Sequence, residues 1–553
     1  MEILFRKNIQ IVLLIVIICV VTILLRLPNN TINPNGLNVD EVAFGYNAYS
    51  ILKTAKDEYG RFLPLTFESY GDYKNPVPIY ALVPLIAIFG LNDFSVRFLN
   101  IIVATISIPV FYLFIYKLTK NKITSIVGII LLSISPWHIY FSRFMHENIL
   151  VYLLLLLGTL FFLQMMHSKR MVWPILSAVF FSISVYTYYS PRLFVPLLIL
   201  FLTIIYWKNL KANRNVFIVW MLANLILCGP ILGSMILGND SARAKMTYIG
   251  NDIELKRNIL LEGKTNLLNP ILEQIVYYIY LLFHWVRKYL NYLHPDFLFF
   301  QGLDMTTTST IGSGVMYLFE APFLFTGLIK IIKKSSSLKL LVIGWIILGL
   351  VPASLTLSEQ NHSRTMLILP MTILLSSIGI VEIFSILKNR LSKLVFKICL
   401  ISYSIFIIWN IVHIYFVFSI HFPFQRGEYF MEGSREAIQT VMQLQNQYQE
   451  VVFDPRRGTT GPNVVSVPHM YYLFYSKYNP ALYQSIYKNS GNYHFDKVTV
   501  RNIEWGLDRS KTNTLFVASP WNIPEKDISP DQIVKKIYLK NGVLALMVIK
   551  SKQ

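Results

Sequence analysis

Cysteine is almost missing from this chain: Cys19, Cys228 and Cys399 are the only three among 553 residues, each inside an apolar run and none in a CxxC pair. That excludes a disulfide framework and a cysteine zinc site. Charge is scarce as well, at 14% of residues, and the 30 acidic residues are outnumbered by 50 Lys and Arg. There is no internal repeat, no low-complexity tract and no glycine-rich nucleotide-phosphate loop. These absences argue against a repeat-built transporter and a P-loop nucleotide site.

What the chain has in excess is apolar length. Apolar residues make up 54% of it and gather in runs of roughly 17 to 25, the length of a membrane-crossing helix. The predicted spans are 8–27, 96–116, 123–136, 148–166, 172–188, 192–207, 214–235, 314–332, 338–357, 365–387 and 394–418. The first follows Arg6 and Lys7 as a signal peptide would. Its apolar core exceeds the usual h-region of about 7–15 residues and no small-residue cleavage site follows, so it reads as a retained helix.

Charge placement orients these spans. With a cytoplasmic N-terminus, the inner loops carry Lys117, Lys120 and Lys122, Lys169 and Arg170, Lys208, Lys211 and Arg214, Lys330, Lys333, Lys334 and Lys339, and Lys388, Arg390, Lys393 and Lys397. The short outer turns carry one Arg each: Arg143, Arg192 and Arg364. This positive-inside asymmetry explains most of the formal net charge of +20, and directs it to orientation and anionic lipid rather than nucleic acid. The segment from Pro76 to Leu91 is apolar but short and holds Pro76, Pro78 and Pro84. An interfacial or re-entrant element is expected there, because prolines remove backbone donors.

The predicted fold is therefore an α-helical polytopic membrane protein of about 11 transmembrane helices with a C-terminal extracytoplasmic α/β domain. Residues 1–420 form the membrane module, with outer loops 28–95 and 236–313, and 421–553 form the soluble domain. Within the second loop, Ile275 to Leu293 mixes aromatic and basic residues as an interfacial helix does. The soluble domain starts with a polar helix over 434–448, and strand-like runs follow at 451–453, 514–518 and 543–549.

The residues that can carry chemistry cluster in the first outer loop, where Asp40 and Glu41 stand just past the first span. Asp40 has two readings, an N-cap of a helix at the membrane surface or a carboxylate kept ionised by neighbouring cations to act as a general base. Arg61, Lys74, Asp57, Glu58 and several tyrosines, among them Tyr73, share the loop. Lys74 precedes the proline-broken element, where its ammonium either snorkels or meets a lipid phosphate. Arg143, Arg192 and Arg364 are retained against the topological bias, which suits an anionic ligand gripped bidentately. Pairing with Glu147 or Glu359 is the structural alternative. His138, His146 and His362 lie in the same turns without metal-ligand spacing on one helix.

In order along the chain, VDEVAFGYNAYSIL, KDEYGRFLPLTF, GDYKNPVPIYALVP, FSVRFLN, SPWHIYFSR, YTYYSPRLFVPLL and NHSRTMLILP resemble the multispanning GT-C glycosyltransferases of the protein O-mannosyltransferase and aminoarabinose-transferase type, which use polyprenyl-phosphate sugars. The resemblance implies that Asp40 is the catalytic carboxylate, with Glu41 supporting it or a metal. It implies that Lys74 contacts the lipid phosphate; Tyr73, Arg143, Arg192 and Arg364 complete the expected donor-binding group. Thr365 after Arg364 departs from the aromatic usual in the aminoarabinose branch. The implied reaction moves a monosaccharide from a polyprenyl-phosphate donor to an extracytoplasmic hydroxyl of a lipid, glycan, wall polymer or protein, with inversion, in a bacterial plasma membrane. No cofactor is required by the sequence, and a divalent ion at Asp40 and Glu41 is left open. The rival readings are a transporter or flippase of lipid-linked sugar and a non-catalytic binder of it.

Overall fold

The computed structural model describes residues 2–28, 33–237, 248–251, 257, 270–301, 313–333, 337–357, 360–458, 464–486 and 493–551. All eleven predicted spans are helical, and the protein is a multi-pass membrane protein. Among the described residues, six helices are long and apolar enough to cross a bilayer: Asp93–Thr119, Asn148–Met165, Arg214–Gly233, Ser337–Ser354, His362–Arg390 and Lys393–Arg426. The bent pair Lys122–Ile134 and Pro136–Ser142 adds a seventh when taken as one crossing. Its 51° bend falls at Ser135, which the following proline holds out of the helical region at ψ 127°.

The N-terminal helix Glu2–Leu24 has its described apolar stretch at Ile9–Leu24. Three predicted spans form helices of only 14, 17 and 12 residues, Val172–Val185, Tyr189–Ile205 and Ala321–Ile332. A 14-residue helix is about 21 Å long, against roughly 30 Å of hydrocarbon. The proline-rich segment is a 14-residue helix, Pro76–Phe89, rather than broken backbone. Pro76 and Pro78 lie in its first turn, where no intrahelical N–H is needed, and only Pro84 sits in the interior. Ile275 to Leu293 falls largely on the helix Pro270–Asn291; much of the rest of loop 236–313 lies outside the described residues.

The chain folds into two compact units. One comprises Met1–Leu25, Val103–Phe141 and Glu147–Ile414. Its helices Ala321–Ile332 and Leu369–Arg390 meet backbone to backbone, since a Cβ on Gly327 would stand 2.0 Å from the Leu375 carbonyl oxygen and one on Gly379 1.9 Å from that of Phe323. Trp137, Trp220 and Trp345 are buried within this unit.

The other unit comprises Arg26–Ile102, Ser142–His146 and Tyr415–Gln553, so the first loop and the C-terminal region belong together. A hairpin of β1 (Phe67–Ser69) and β2 (Asp72–Lys74) precedes the helix Pro76–Phe89. The C-terminal strands are β3 (Glu450–Phe453), β4 (Arg456–Arg457), β5 (Val464–Val465), β6 (Tyr493–Phe495), β7 (Val498–Val500), β8 (Thr514–Ala518), β9 (Ile533–Tyr538) and β10 (Leu544–Lys550). Six of them make a sheet in the order β6-β7-β3-β8-β10-β9. The centre, β7-β3-β8, is parallel and the flanking pairs are antiparallel. The three predicted strands are β3, β8 and β10, and the polar helix runs Ser434–Leu444. Val452, Phe516, Ala518, Met547 and Ile549 form the buried core of the sheet.

Candidate active site

The helix Val39–Thr54 begins with a capping box. Asn38 is the cap: its side chain accepts from the Glu41 N–H at 2.9 Å, and its own N–H donates to Glu41 Oε2 at 3.0 Å. Asp40 is therefore not the cap; it stands one residue inside the helix, where the positive N-terminal end favours a carboxylate.

The two adjacent carboxylates have opposite surroundings. The Glu41 side chain is 0% exposed. Arg97 grips it from Nε to Oε1 at 2.9 Å and from Nη2 to Oε2 at 3.1 Å, and the Met145 N–H donates to Oε1 at 2.9 Å. With Asn38 these donors fill the roughly four lone-pair sites of a carboxylate. Arg97 also donates to the carbonyls of Pro34, at 2.8 Å, and Gly36. Gly36 is at φ 85°, and a Cβ there would stand 2.4 Å from the Phe430 carbonyl oxygen, so glycine is required. Glu41, expected as catalytic, is a buried structural anion that anchors the start of the helix.

Asp40, by contrast, has a side chain 50% exposed. Tyr70 donates its hydroxyl to Oδ1 at 2.6 Å, and Lys74 Nζ donates to the same oxygen. Lys74 also donates to Asp72 Oδ2 at 2.7 Å. Asp72 and Lys74 share a face of β2 because strand side chains alternate. Tyr73, between them, points to the opposite face and pairs across the strand with Glu68, away from the Lys74 ammonium. Lys74 is 4% exposed and sits between two carboxylates instead of at an open headgroup position. Burial pushes its ammonium down, but Asp40 and Asp72 outweigh this and hold it above its ordinary value. Burial together with Asp40 pushes the Tyr70 phenol well up, so it remains a donor.

The hairpin turn sets this geometry. Ser69 pairs with Asp72 across a two-residue loop whose members, Tyr70 and Gly71, have φ 42° and 81°. Such turns favour Asn-Gly; a tyrosine in the left-handed region costs roughly 1–2 kcal/mol. Tyr70, Asp72 and Arg97 were not singled out from the sequence, and only Gly71, a turn signal, hinted at the first two.

The C-terminal region packs on this helix. Gly45 admits the helix Pro468–Tyr475: a Cβ on it would lie 2.5 Å from Phe474 Cε2. Tyr471 donates its hydroxyl to the Leu37 carbonyl at 2.6 Å, just ahead of the cap. Gln484 Nε2 donates to Thr54 Oγ1 at 2.8 Å and to Ser50 Oγ at 3.0 Å.

The three outer-turn arginines divide between the units. Arg143 is in the unit of Asp40, where its Nη2 donates to the carbonyls of Pro28 at 3.1 Å and Asn33 at 3.2 Å. Burial and the neighbouring Arg97 push its guanidinium down to about 10. Nearby His146 is pushed down to about 4 by burial, which outweighs the opposing pull of Asp40. Arg192 and Arg364 belong to the other unit. Arg192 lies 4.4 Å from the Tyr189 ring centroid, and the Arg364 N–H is taken by the Asn361 cap at 3.0 Å. His362 packs against Tyr140 and Phe141, and His138 against Tyr152. Glu359 lies outside the described residues.

Asp40 and Glu41 do not fit a metal as they stand. A cation would have to displace Arg97 from Glu41 and Lys74 from Asp40, and no cluster of three or more His, Cys, Asp or Glu able to hold an ion occurs among the described residues.

The comparisons with known proteins agree with this architecture. The family model described as dolichyl-phosphate-mannose-protein mannosyltransferase matches residues 73–233. No curated protein matches the chain by sequence. The crystal structure of ArnT from Cupriavidus metallidurans in the apo state is similar over 99% of this chain and 100% of its own, with a TM-score of 0.54 at 11% identity. ArnT bound to undecaprenyl phosphate gives a TM-score of 0.52 at 10% identity, over 98% of this chain and 99% of its own. The archaeal oligosaccharyltransferase AglB from Archaeoglobus fulgidus, in complex with an inhibitory peptide and a dolichol-phosphate, gives 0.50 at 14% identity over 81% of this chain; the match spans only 62% of AglB. The chain has the GT-C fold.

Proposed function

We propose that the protein is a glycosyltransferase that moves a monosaccharide from a polyprenyl-phosphate donor to an acceptor hydroxyl on the outer side of a bacterial plasma membrane. The observation that carries this reading is the half-exposed Asp40 carboxylate, held by Tyr70 and the buried Lys74 in the first loop of a GT-C fold. The undecaprenyl phosphate bound to ArnT, the dolichol-phosphate bound to AglB and the dolichyl-phosphate-mannose family model support a lipid-phosphate sugar as donor. The lysine-rich inner loops support a cytoplasmic N-terminus with the Asp40 loop and the C-terminal domain outside.

In this mechanism the acceptor hydroxyl gives its proton to Asp40 as its oxygen bonds to the anomeric carbon. The bond from that carbon to the phosphate oxygen breaks, and the polyprenyl phosphate leaves with the electron pair. A single displacement inverts the anomeric centre. Because the phosphate leaves readily, the protein has only to align the hydroxyl, take one proton and balance the departing charge. Glu41 and Arg97 hold the helix bearing Asp40. Lys74 keeps Asp40 ionised and offers the third N–H of its ammonium to the phosphate; Arg143, in the same unit, is the further candidate for phosphate contact.

The test is transfer of labelled sugar from a panel of hexosyl and pentosyl polyprenyl phosphates to an extract of the protein's own envelope, with Asp40→Asn alongside. A labelled product with wild type and none with the variant supports the reading. Equal product from both removes Asp40 as the base, and transport of the donor without transfer favours a flippase.

A further inference from the structure

We propose that Tyr70 is a positioning residue, held in an unfavourable left-handed turn so that its phenol fixes the Asp40 carboxylate for proton transfer. This rests on the glycosyltransferase reading above. Three observations lead to it. The first is conformational: Tyr70 has φ 42° at a turn position where asparagine or glycine would be at ease. Backbone held in a sparse region persists where the surroundings over-determine it, and such residues gather at functional sites.

The second is geometric. The Tyr70 hydroxyl lies 2.6 Å from Asp40 Oδ1, and the ring carries the Lys74 ammonium 4.6 Å from its centroid. One side chain thus touches both members of the ion pair. The third is a division of labour. Lys74 is shared between Asp40 and Asp72, and an ammonium is a compact charge with three rotatable donors on a flexible stem. It keeps Asp40 charged without fixing the plane of the carboxylate. A phenol on a rigid ring is a directional donor, which the half-exposed Asp40 needs if its oxygen is to meet an incoming hydroxyl. The other charged or titratable groups that act on this cluster are Asp72, His146 and Tyr471.

The experiment compares wild type, Tyr70→Phe and Tyr70→Asn, each also in an Asp40→Asn background, in the full-length protein in lipid. Tyr70→Phe keeps the ring and the turn but removes the donor. It is expected to lower kcat by about 10- to 100-fold with the donor KM little changed. It should also move the acid limb of the rate profile to higher pH, because the carboxylate loses a hydrogen bond to its charged form. Tyr70→Asn relaxes the turn; it is expected to lose the same rate while Tm holds or rises. Wild-type kcat and acid limb in Tyr70→Phe would overturn the proposal, as would a Tm that falls with the rate in Tyr70→Asn. Wild type that transfers from no donor sinks the glycosyltransferase reading instead. The pairing is then decided by Tm alone: Tyr70→Phe should shift it with Asp40 present and not in the Asp40→Asn background, and equal shifts in both would overturn it.

Discussion

Asp40 and Glu41 are neighbours on one helical turn, yet the regions around them are built to opposite purposes. Around Glu41 a buried guanidinium, two backbone N–H groups and no exposure leave nothing for a substrate to reach. Around Asp40 the Lys74 that holds it is buried, while the carboxylate itself is half-exposed. An acidic pair in sequence is thus one fully buried anion and one half-exposed anion, and the difference lies in which donors each meets.

The sharpest way to break this contrast is to remove each charge separately. Asp40→Asn is expected to cost about 10²–10⁴ in transfer rate, the usual worth of a positioned base, with Tm nearly unchanged; a large fall in Tm would show that Asp40 too is structural. On the other side, Arg97→Met leaves Glu41 buried and unpaired. It should destabilise the protein by about 3–5 kcal/mol, and pairing it with Glu41→Leu should recover much of that. Thermal unfolding of the two single variants and the double reads this directly, and full stability in Arg97→Met would sink the structural assignment.

His146 tests the border between the two regions, since it feels Asp40 and follows Met145, whose N–H serves Glu41. Its folded value of about 4 lies below the unfolded 6.5. The unfolded chain therefore binds the proton first as pH drops. The stability contribution is complete above pH 6.5 and is lost as pH falls toward 4, by up to about 3 kcal/mol. His146→Gln should flatten Tm against pH over that window; an unchanged slope would mean that other groups carry the acid sensitivity. The smallest expected effect is that of a chelator. With Glu41 committed to Arg97, removing divalent ions should leave the transfer rate within about twofold, and a loss restored by one metal would show both carboxylates acting together and erase the contrast.

Much of this molecule was legible locally. Apolar run length and lysine placement marked the helices, because a span is defined by its own roughly 20 residues. The strands β3, β8 and β10 stood out as short apolar or alternating runs. The proline-rich segment forms a helix too short to count as a crossing, and two of its three prolines fall in the first turn, where they do no harm.

By itself, the sequence determined that this is a polytopic helical membrane protein, that its first loop holds the acidic pair, and that a mixed α/β region ends the chain. Only the tertiary structure decided which carboxylate is buried and which is half-exposed. Glu41 is claimed by Arg97 and Met145, 56 and 104 residues away, and Asp40 by Tyr70 and Lys74, 30 and 34 away. Apolar periodicity is a property of neighbours along the chain. The partner of a charge, and with it the access of solvent and substrate, depends on segments that meet only when the chain has folded.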